Sequence, residues 1–420
     1  MKLHWQIAIA LGLAVVAGIT LGDLAWFQSV CGFLGELFLN SLKMVVVPLI
    51  VSSIIHALLG LAEGAALTRM GTRALAYYIG TCTMAVLIGL LMINLIQPGI
   101  IDGAPAGARL GLNANSDAVH SALAGHGAQD IVGVFKRLLP QNLIAAAAEG
   151  NLLGMVFFSL LFGFFAARMP AEMQAVQRNF WGGLRHVMLG ITQLVIRFAP
   201  LGVFGLVSKT VAATGWDAIK PLALFFIAVL AGLALQMFVG LGLTLKLIGR
   251  VSPWRMLKAM SPALLTAFSS SSSAGTLPVT MECLQKRAGV SPRLTGFVLP
   301  LGAAINLDGS ALYECAAAMF LAQAYGMHLD FATQFVIVWM AVVTSMGISG
   351  IPSSSLVGIS VILGAIGLPL EGIGVILAVD RILDMCRTAV NVYGDSSATV
   401  VVARLEGETE ILKAEPAPGA

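Results

Sequence analysis

Charge is what this sequence has least of. Only 11% of its 420 residues are Asp, Glu, Lys or Arg, where soluble domains carry about 25%. That deficit excludes an ordinary soluble domain or a disordered chain. A 58% hydrophobic composition and a mean hydropathy of +0.91 point to a polytopic membrane protein. The net charge is +3 and no basic run stands out, which leaves no footprint for nucleic acid. Cysteine is sparse and scattered: Cys31, Cys82, Cys283, Cys315 and Cys386 are odd in number and lack metal-ligand spacing. They read as small core residues. Histidine is nearly missing from the second half, where His328 is the sole one after His186 and reads as a surface residue at a helix end. The serine run Ser269–Ser273 has no Gly-x-Ser-x-Gly setting and no histidine base near it, which weighs against an enzyme with a serine nucleophile.

What is present is apolar sequence in long stretches. Spans are expected near 5–22, 33–60, 74–96, 143–167, 187–208 and 220–248. The first begins at the N-terminus without a small-residue cleavage site, so it reads as a spanning helix and not a removed signal peptide. Between 97 and 140 the chain turns rich in Gly, Asn, Asp and Ser, which predicts a long external loop with a short amphipathic piece at 130–139. Arg69 and Arg73, then Arg168, Arg178 and Arg185, then Arg250, Arg255 and Lys258 occupy alternate connections, while 22–32 has neither Lys nor Arg. The Lys/Arg excess marks cytoplasmic loops, so both termini are expected inside.

After residue 250 the pattern changes. Residues 262–285 are interrupted by Phe268-Ser-Ser-Ser-Ser-Ser-Ala-Gly-Thr-Leu-Pro278, and 335–369 by Met346-Gly-Ile-Ser-Gly-Ile-Pro-Ser-Ser-Ser355. Neither reads as one uninterrupted lipid-facing helix, because freed backbone groups are tolerated at depth only in protein or beside water. Each reads as a re-entrant hairpin followed by a helix with a polar core: 294–325 and 371–402. The two copies enter from opposite sides, an inverted repeat of the kind that brackets a transporter binding site near the bilayer midplane.

The second polar-cored helix carries Asp380, Arg381, Asp384, Arg387, Thr388, Asn391 and Asp395. At a helical period these fall within an arc of roughly 120°. Ile382, Leu383, Val390 and Val400 lie opposite. Charges in a spanning segment cost roughly 2.5–3.5 kcal/mol each and default to function; the alternative is an amphipathic helix with a solvated face. In Asn306-Leu-Asp-Gly-Ser310, Gly309 is expected to loosen the helix and expose carbonyls, which beside Asp308 suit a small hard cation such as sodium. A turn between two shorter elements is the other reading of that motif. Tyr78, Thr81 and Cys82 offer further ligands, although polar residues in a spanning helix usually bond neighbouring backbone.

Thr276-Leu-Pro-Val-Thr280, Asn306-Leu-Asp-Gly-Ser310, Gly347-Ile-Ser-Gly-Ile-Pro352 and Asp384-Met-Cys-Arg-Thr-Ala-Val-Asn-Val-Tyr-Gly-Asp395 stand in order along the chain. Together they resemble the dicarboxylate/amino acid:cation symporters, which include the prokaryotic and animal glutamate transporters. Lys43-Met-Val-Val-Val-Pro48 and Asn94-Leu-Ile-Gln-Pro-Gly99 extend the likeness over nearly the whole chain. The resemblance implies an all-α polytopic membrane protein of eight transmembrane helices and two re-entrant hairpins, a homotrimer in the plasma membrane, working as an elevator. Its implied division is scaffold helices at 1–70 and 141–212, a transport domain at 71–100 and 213–405, an external loop at 101–140 and a cytoplasmic tail at 406–420. The second hairpin is the implied extracellular gate.

The same resemblance implies roles residue by residue. Asp384 looks like the partner of a substrate ammonium and Arg387 of its side-chain carboxylate, with Thr388, Asn391, Ser310, Ser272 and the backbone around Ile351-Pro352 holding the rest. Asp395, with Gly302, Asn306 and Asn391, looks like one sodium site. Asp308, Asn306, Tyr78, Thr81 and Cys82 look like a deeper one, and carbonyls near Ala304, Ser345, Met346 and Ile348 like a third. The chain departs from the family pattern at Leu307 (usually methionine), Ser310 (threonine), Cys82 (serine) and Ser271 (arginine in some relatives), with Arg381 placed to supply that last charge. The expected function is sodium-coupled import of glutamate or aspartate, without a cofactor. Proton coupling and C4-dicarboxylates are the alternatives within the class; a channel, which needs a continuous polar pathway, is the alternative outside it.

Overall fold

The computed structural model describes residues 3–60, 65–112, 139–148, 152–214, 219–327, 329–347 and 354–412. Where lipid replaces water, backbone donors and acceptors must be satisfied internally, and the described residues are helical almost throughout. In order they are α1 (Leu3–Leu21), α2 (Ala25–Gly60), α3 (Ala65–Ile96), α4 (Leu143–Ala148), α5 (Leu152–Ala166), α6 (Ala171–Arg197) and α7 (Ala199–Thr214). There follow α8 (Ile219–Ala234), a π-helical turn Leu235–Gly240, α9 (Leu241–Leu247), α10 (Pro253–Ser270), α11 (Ser273–Glu282), α12 (Pro292–Ile305), α13 (Asp308–Ala324), α14 (Phe331–Gly347), α15 (Ser355–Ala365) and α16 (Ile373–Leu405). Among the described residues, Arg69–Ile96 and Lys220–Leu247 are long and apolar enough to cross a bilayer on their own.

Several expected boundaries move. The span expected at 187–208 is a longer pair, α6 and α7, bent by 52° around Phe198. Residues 171–186 carry Glu172, Arg178 and Arg185, yet they continue the helix as an amphipathic stretch; Pro200 then sits in the first turn of α7, where its missing donor costs nothing. The start of the expected 97–140 loop is built as structure. Ile100–Ile101 pairs antiparallel with Ala104–Pro105, and Ile101, Ala106 and Leu110 are buried. The Gly99 amide donates to Gln323 Oε1 at the end of α13 (3.2 Å). The amphipathic piece expected at 130–139 lies, but for Leu139, outside the described residues.

The first hairpin is α10 packed on α11. Ser271 takes a left-handed conformation (φ 52°) that ends α10, and Ser272 Oγ accepts from the Gly275 amide at 3.0 Å to cap α11. In the second pair, α14 packs on α15; its tip, with Ile348, Ile351 and Pro352, lies outside the described residues. The segment expected as one loosened helix at 294–325 is two helices, and the break falls at Asn306–Leu307, a turn ahead of Gly309. Pro300 weakens the preceding turns by removing a donor, and Asn306 is extended (φ −109°, ψ 96°).

Two sets of helices pack among themselves. One is α1, α2, α5, α6 and α7; the other is α3, α8 and α10–α16, with α14 and α15 touching α2, and α16 touching α7. Every residue of α13 is buried, enclosed by α3, α8, α14, α15 and α16. That leaves the broken start of α13 and the polar stripe of α16 facing each other inside the second set.

Candidate functional site

The stripe of α16 is buried, not solvated: Asp380, Asp384, Arg387, Thr388, Asn391 and Asp395 are each at most 5% exposed. Burial of this kind stands only if charges are paired or hydrogen-bonded, and Asp380, Asp384 and Arg387 are paired. Arg387 donates from Nε to Asp384 Oδ1 (3.0 Å) and from Nη1 to Asp380 Oδ1 (2.9 Å). Its Nη2 lies 2.9 Å from Asp384 Oδ1, and its guanidinium carbon sits 4.2 Å from the centroid of the Tyr313 ring, a cation–π position. Arg381 reaches Asp384 Oδ2 at 3.1 Å from the half-open rim, its side chain 12% exposed. Two aspartates and two arginines are thus linked, with opposite charges in equal number. Thr388 turns its hydroxyl to the Asp384 carbonyl (2.7 Å), leaving its oxygen as an acceptor.

Asn391 ties this stripe to the break. Its Oδ1 accepts from the amides of Gly309 (2.8 Å) and Ser310 (3.3 Å), the otherwise orphaned donors in the first turn of α13, and its Nδ2 donates to Ser310 Oγ (3.1 Å). Expected as a ligand of both substrate and sodium, Asn391 is a tertiary helix cap as well.

Around the break lie the two acidic centres. Asp395 Oδ1 accepts from Asn306 Nδ2 (2.9 Å), and a Cβ at Gly302 would stand 2.7 Å from that oxygen, so the Gly302 backbone and Asp395 are neighbours. Asp308 accepts from Thr81 Oγ1 (3.2 Å) and from Gln236 Nε2 (3.2 Å). Asn306 Oδ1 is buried with no hydrogen-bond donor. Hard carboxylate, amide and hydroxyl oxygens of this sort fit a sodium ion. Tyr78 keeps close by donating to the Val298 carbonyl (2.8 Å), which occupies its proton and leaves its oxygen as an acceptor. Cys82 makes its contact with Ser345 Oγ (3.2 Å), joining α3 to the second hairpin. Ala304 lies in the last turn of α12 beside the break, and Ser345 and Met346 lie in the last turn of α14. Ile348 lies outside the described residues, as do Ile351 and Pro352. Ser272 stands at the tip of the first hairpin, its hydroxyl engaged in the cap of α11. Among the described residues no three His, Cys, Asp or Glu cluster in the manner of a transition-metal site.

Three members of this centre carry no role in the sequence reading. Asp380 lay in the stripe, but nothing in its spacing named it the second partner of Arg387. Glu314, on α13, is fully buried and accepts from Thr344 Oγ1 of α14 (2.8 Å), its Oε1 unpartnered. A Cβ on Gly358 of α15 would overlap that carboxylate, so Glu314 sits directly against the second hairpin. Gln236 is a single amide in an apolar helix, a pattern that usually means a backbone contact.

The model of the sodium:dicarboxylate symporter family matches residues 3–405. A proton/glutamate-aspartate symporter of Escherichia coli K12 is 35% identical, over 98% of this chain and 95% of its own length. A proton/sodium-glutamate symport protein of Geobacillus stearothermophilus is 33% identical, over 97% and 95%. A C4-dicarboxylate transport protein of Bacillus subtilis 168 is 32% identical, over 98% and 96%. A family match over nearly the whole chain, with relatives at 32–35% identity over nearly their full length, makes this protein a member of the sodium:dicarboxylate symporter family, a membrane transporter and not an enzyme.

Proposed function

We propose that the protein is a secondary symporter that imports glutamate or aspartate, driven by sodium. The observation that carries this reading is Arg387, buried and held between Asp380 and Asp384. An α-amino dicarboxylate needs a cation for its side chain and an anion for its ammonium, and Arg387 and Asp384 supply them one turn apart. The guanidinium fork suits a carboxylate. Thr388 and Ser310 add hydroxyls, and Asp308 and Asp395 with Asn306 are the proposed cation ligands. The wider reading is a homotrimer in the plasma membrane with cytoplasmic termini, eight spans and two re-entrant hairpins. The set containing α3, α8 and α10–α16 moves as an elevator against the set containing α1, α2 and α5–α7.

Glu314 favours a second reading, proton coupling. A carboxyl group fully buried, bonded through one oxygen to Thr344 and pressed against the second hairpin, is suited to carry a proton through the cycle. The E. coli relative is named a proton symporter, which lends that reading weight. Uptake of labelled aspartate into proteoliposomes, with sodium and proton gradients imposed separately, decides between them. Full uptake in choline buffer with a pH gradient alone removes sodium as the fuel. Uptake of succinate in preference to aspartate moves the substrate to C4-dicarboxylates.

A further inference from the structure

The helix made of α8 and α9 is interrupted by the π-helical turn Leu235–Gly240, in which the Leu241 amide bonds back to the Gln236 carbonyl. Such bulges are rare and collect at functional sites. This one carries Gln236, a fully buried amide in an otherwise apolar helix. Its Nε2 donates to the Thr81 carbonyl (3.2 Å) and to Asp308 Oδ2 (3.2 Å). Two acceptors on that side decide the orientation of the amide, since turning it over would set Oε1 against a carbonyl and a carboxylate. Oε1 therefore faces the other way, where it is buried without a donor. The space there is bounded by Gly240 and Met84: a Cβ on Gly240 would lie 2.7 Å from Gln236 Oε1 and 3.3 Å from Met84 Sδ.

We propose that Gln236 is a further ligand of the cation centred on Asp308, and that its amide turns over as the cation binds. An N–H aimed at a carboxylate is favourable; the same N–H aimed at a cation resting on that carboxylate is repulsive. Rotation about the terminal torsion replaces it with Oε1, an amide oxygen of the type hard cations accept. That torsion is soft and two-fold, so the turned state is a regular rotamer. In the turned state Nε2 points into the space beside the Met84 thioether, a weak acceptor, and the orphaned oxygen gains a partner. Helix α8–α9 thereby senses occupancy of a site built mainly from α3 and α13. This inference rests on the sodium reading.

The test is aspartate binding to the purified full-length protein, titrated with sodium at constant ionic strength, in wild type, Gln236→Met and Gln236→Glu. Methionine keeps length and removes both polar atoms; glutamate keeps oxygen ligands and removes the amide donor. Gln236→Met is expected to raise the half-saturating sodium concentration about 10-fold, with aspartate affinity at saturating sodium unchanged, since the α16 contacts are intact. Gln236→Glu is expected to keep sodium affinity at or above that of wild type. A residue that merely held Asp308 by its N–H would fail equally in both variants, and that result overturns the ligand assignment. So does a Gln236→Met titration that matches wild type. If Gln236→Met does not fold, Gln236→Glu decides alone by the same criterion. Absence of sodium dependence in wild type overturns the sodium reading, and this inference with it.

Discussion

Arg387 Nη1 lies 2.9 Å from Asp380 Oδ1, seven residues earlier on the same helix, so the arginine proposed to meet a substrate carboxylate already holds one. A guanidinium has five N–H donors; Asp384 takes that of Nε and Asp380 one of Nη1, while the buried Nη2 has no hydrogen-bond acceptor. A substrate carboxylate must join this set or displace Asp380 from it. Under the proposed reading, Asp380 tunes how strongly Arg387 attracts a substrate carboxylate.

Replacing Arg387 by Ser should abolish uptake of acidic substrates. It also leaves Asp380 buried without its cation and Asp384 with Arg381 alone, a loss of about 3–5 kcal/mol in stability. The double variant Arg387→Ser with Asp380→Asn should recover part of the thermal stability and none of the acidic uptake. Recovery of aspartate transport in the double variant would remove Arg387 from the site.

Asp384 is shared between Arg387 and Arg381, so under the proposed reading Arg381 competes with a substrate ammonium for it. Succinate, which has no amine, should compete poorly with aspartate in wild type. Arg381→Ala should sharpen that preference by roughly 10-fold, the equivalent of about 1.4 kcal/mol, near the low end for a hydrogen bond to a charged group. Competition constants for the two ligands in both proteins check it. Strong competition by succinate in wild type would make Asp384 a structural charge.

Asn391→Ala exposes the Gly309 and Ser310 amides in a dry interior, which costs about 1–3 kcal/mol. Thermal stability should drop accordingly. Asp395→Asn, which leaves Asp384 and Arg387 in place, should flatten the sodium dependence of aspartate binding without a comparable loss of affinity at saturating sodium. Sodium titrations monitored by aspartate binding distinguish the two effects.

Glu314→Gln preserves the acceptor for Thr344 and removes the proton a carboxyl can carry. Under the sodium reading, sodium-driven uptake should survive in this variant. Under the proton reading, uptake driven by a pH gradient should vanish while exchange of internal for external substrate persists. Gradient-driven uptake and exchange, measured in the same vesicles, report which.

At the end of α16 Glu406 accepts from Arg69 Nη2 (2.8 Å) and Arg73 Nη1 (2.6 Å), tying α16 to α3. The Arg69 hydrogen bond first, then the charges of Arg69 and Arg73, outweigh partial desolvation and hold the Glu406 carboxyl below its ordinary value. A lowered folded value means the stabilisation is fully present above the ordinary carboxylate range and is lost as pH falls through the folded one. Because Arg69 is largely exposed, the contribution is about 1 kcal/mol or less. Glu406→Gln should lower the melting temperature slightly at neutral pH, and the difference from wild type should close in acid.

The sequence alone determined the membrane class, the interrupted segments and the polar stripe. Hydropathy, Gly and Pro positions and a 3.6-residue period are local properties, and the bilayer penalises their violation heavily. Asp308, Asp384, Arg387, Asn391 and Asp395 were legible for the same reason: a charge or amide in an apolar run is conspicuous. Only the tertiary structure decided who partners whom. The break in the 294–325 segment falls at Asn306 and not Gly309 because Asp395 and Asn391, over eighty residues away, hold the Asn306 side chain and cap α13. Asp380 was one acid among several until the helix aimed it at Arg387. Glu314 and Gln236 gave no local signal, since a lone polar residue in an apolar helix has its meaning in the helix packed against it. For Glu314 that neighbour is α14, and for Gln236 it is α3 and the first turn of α13.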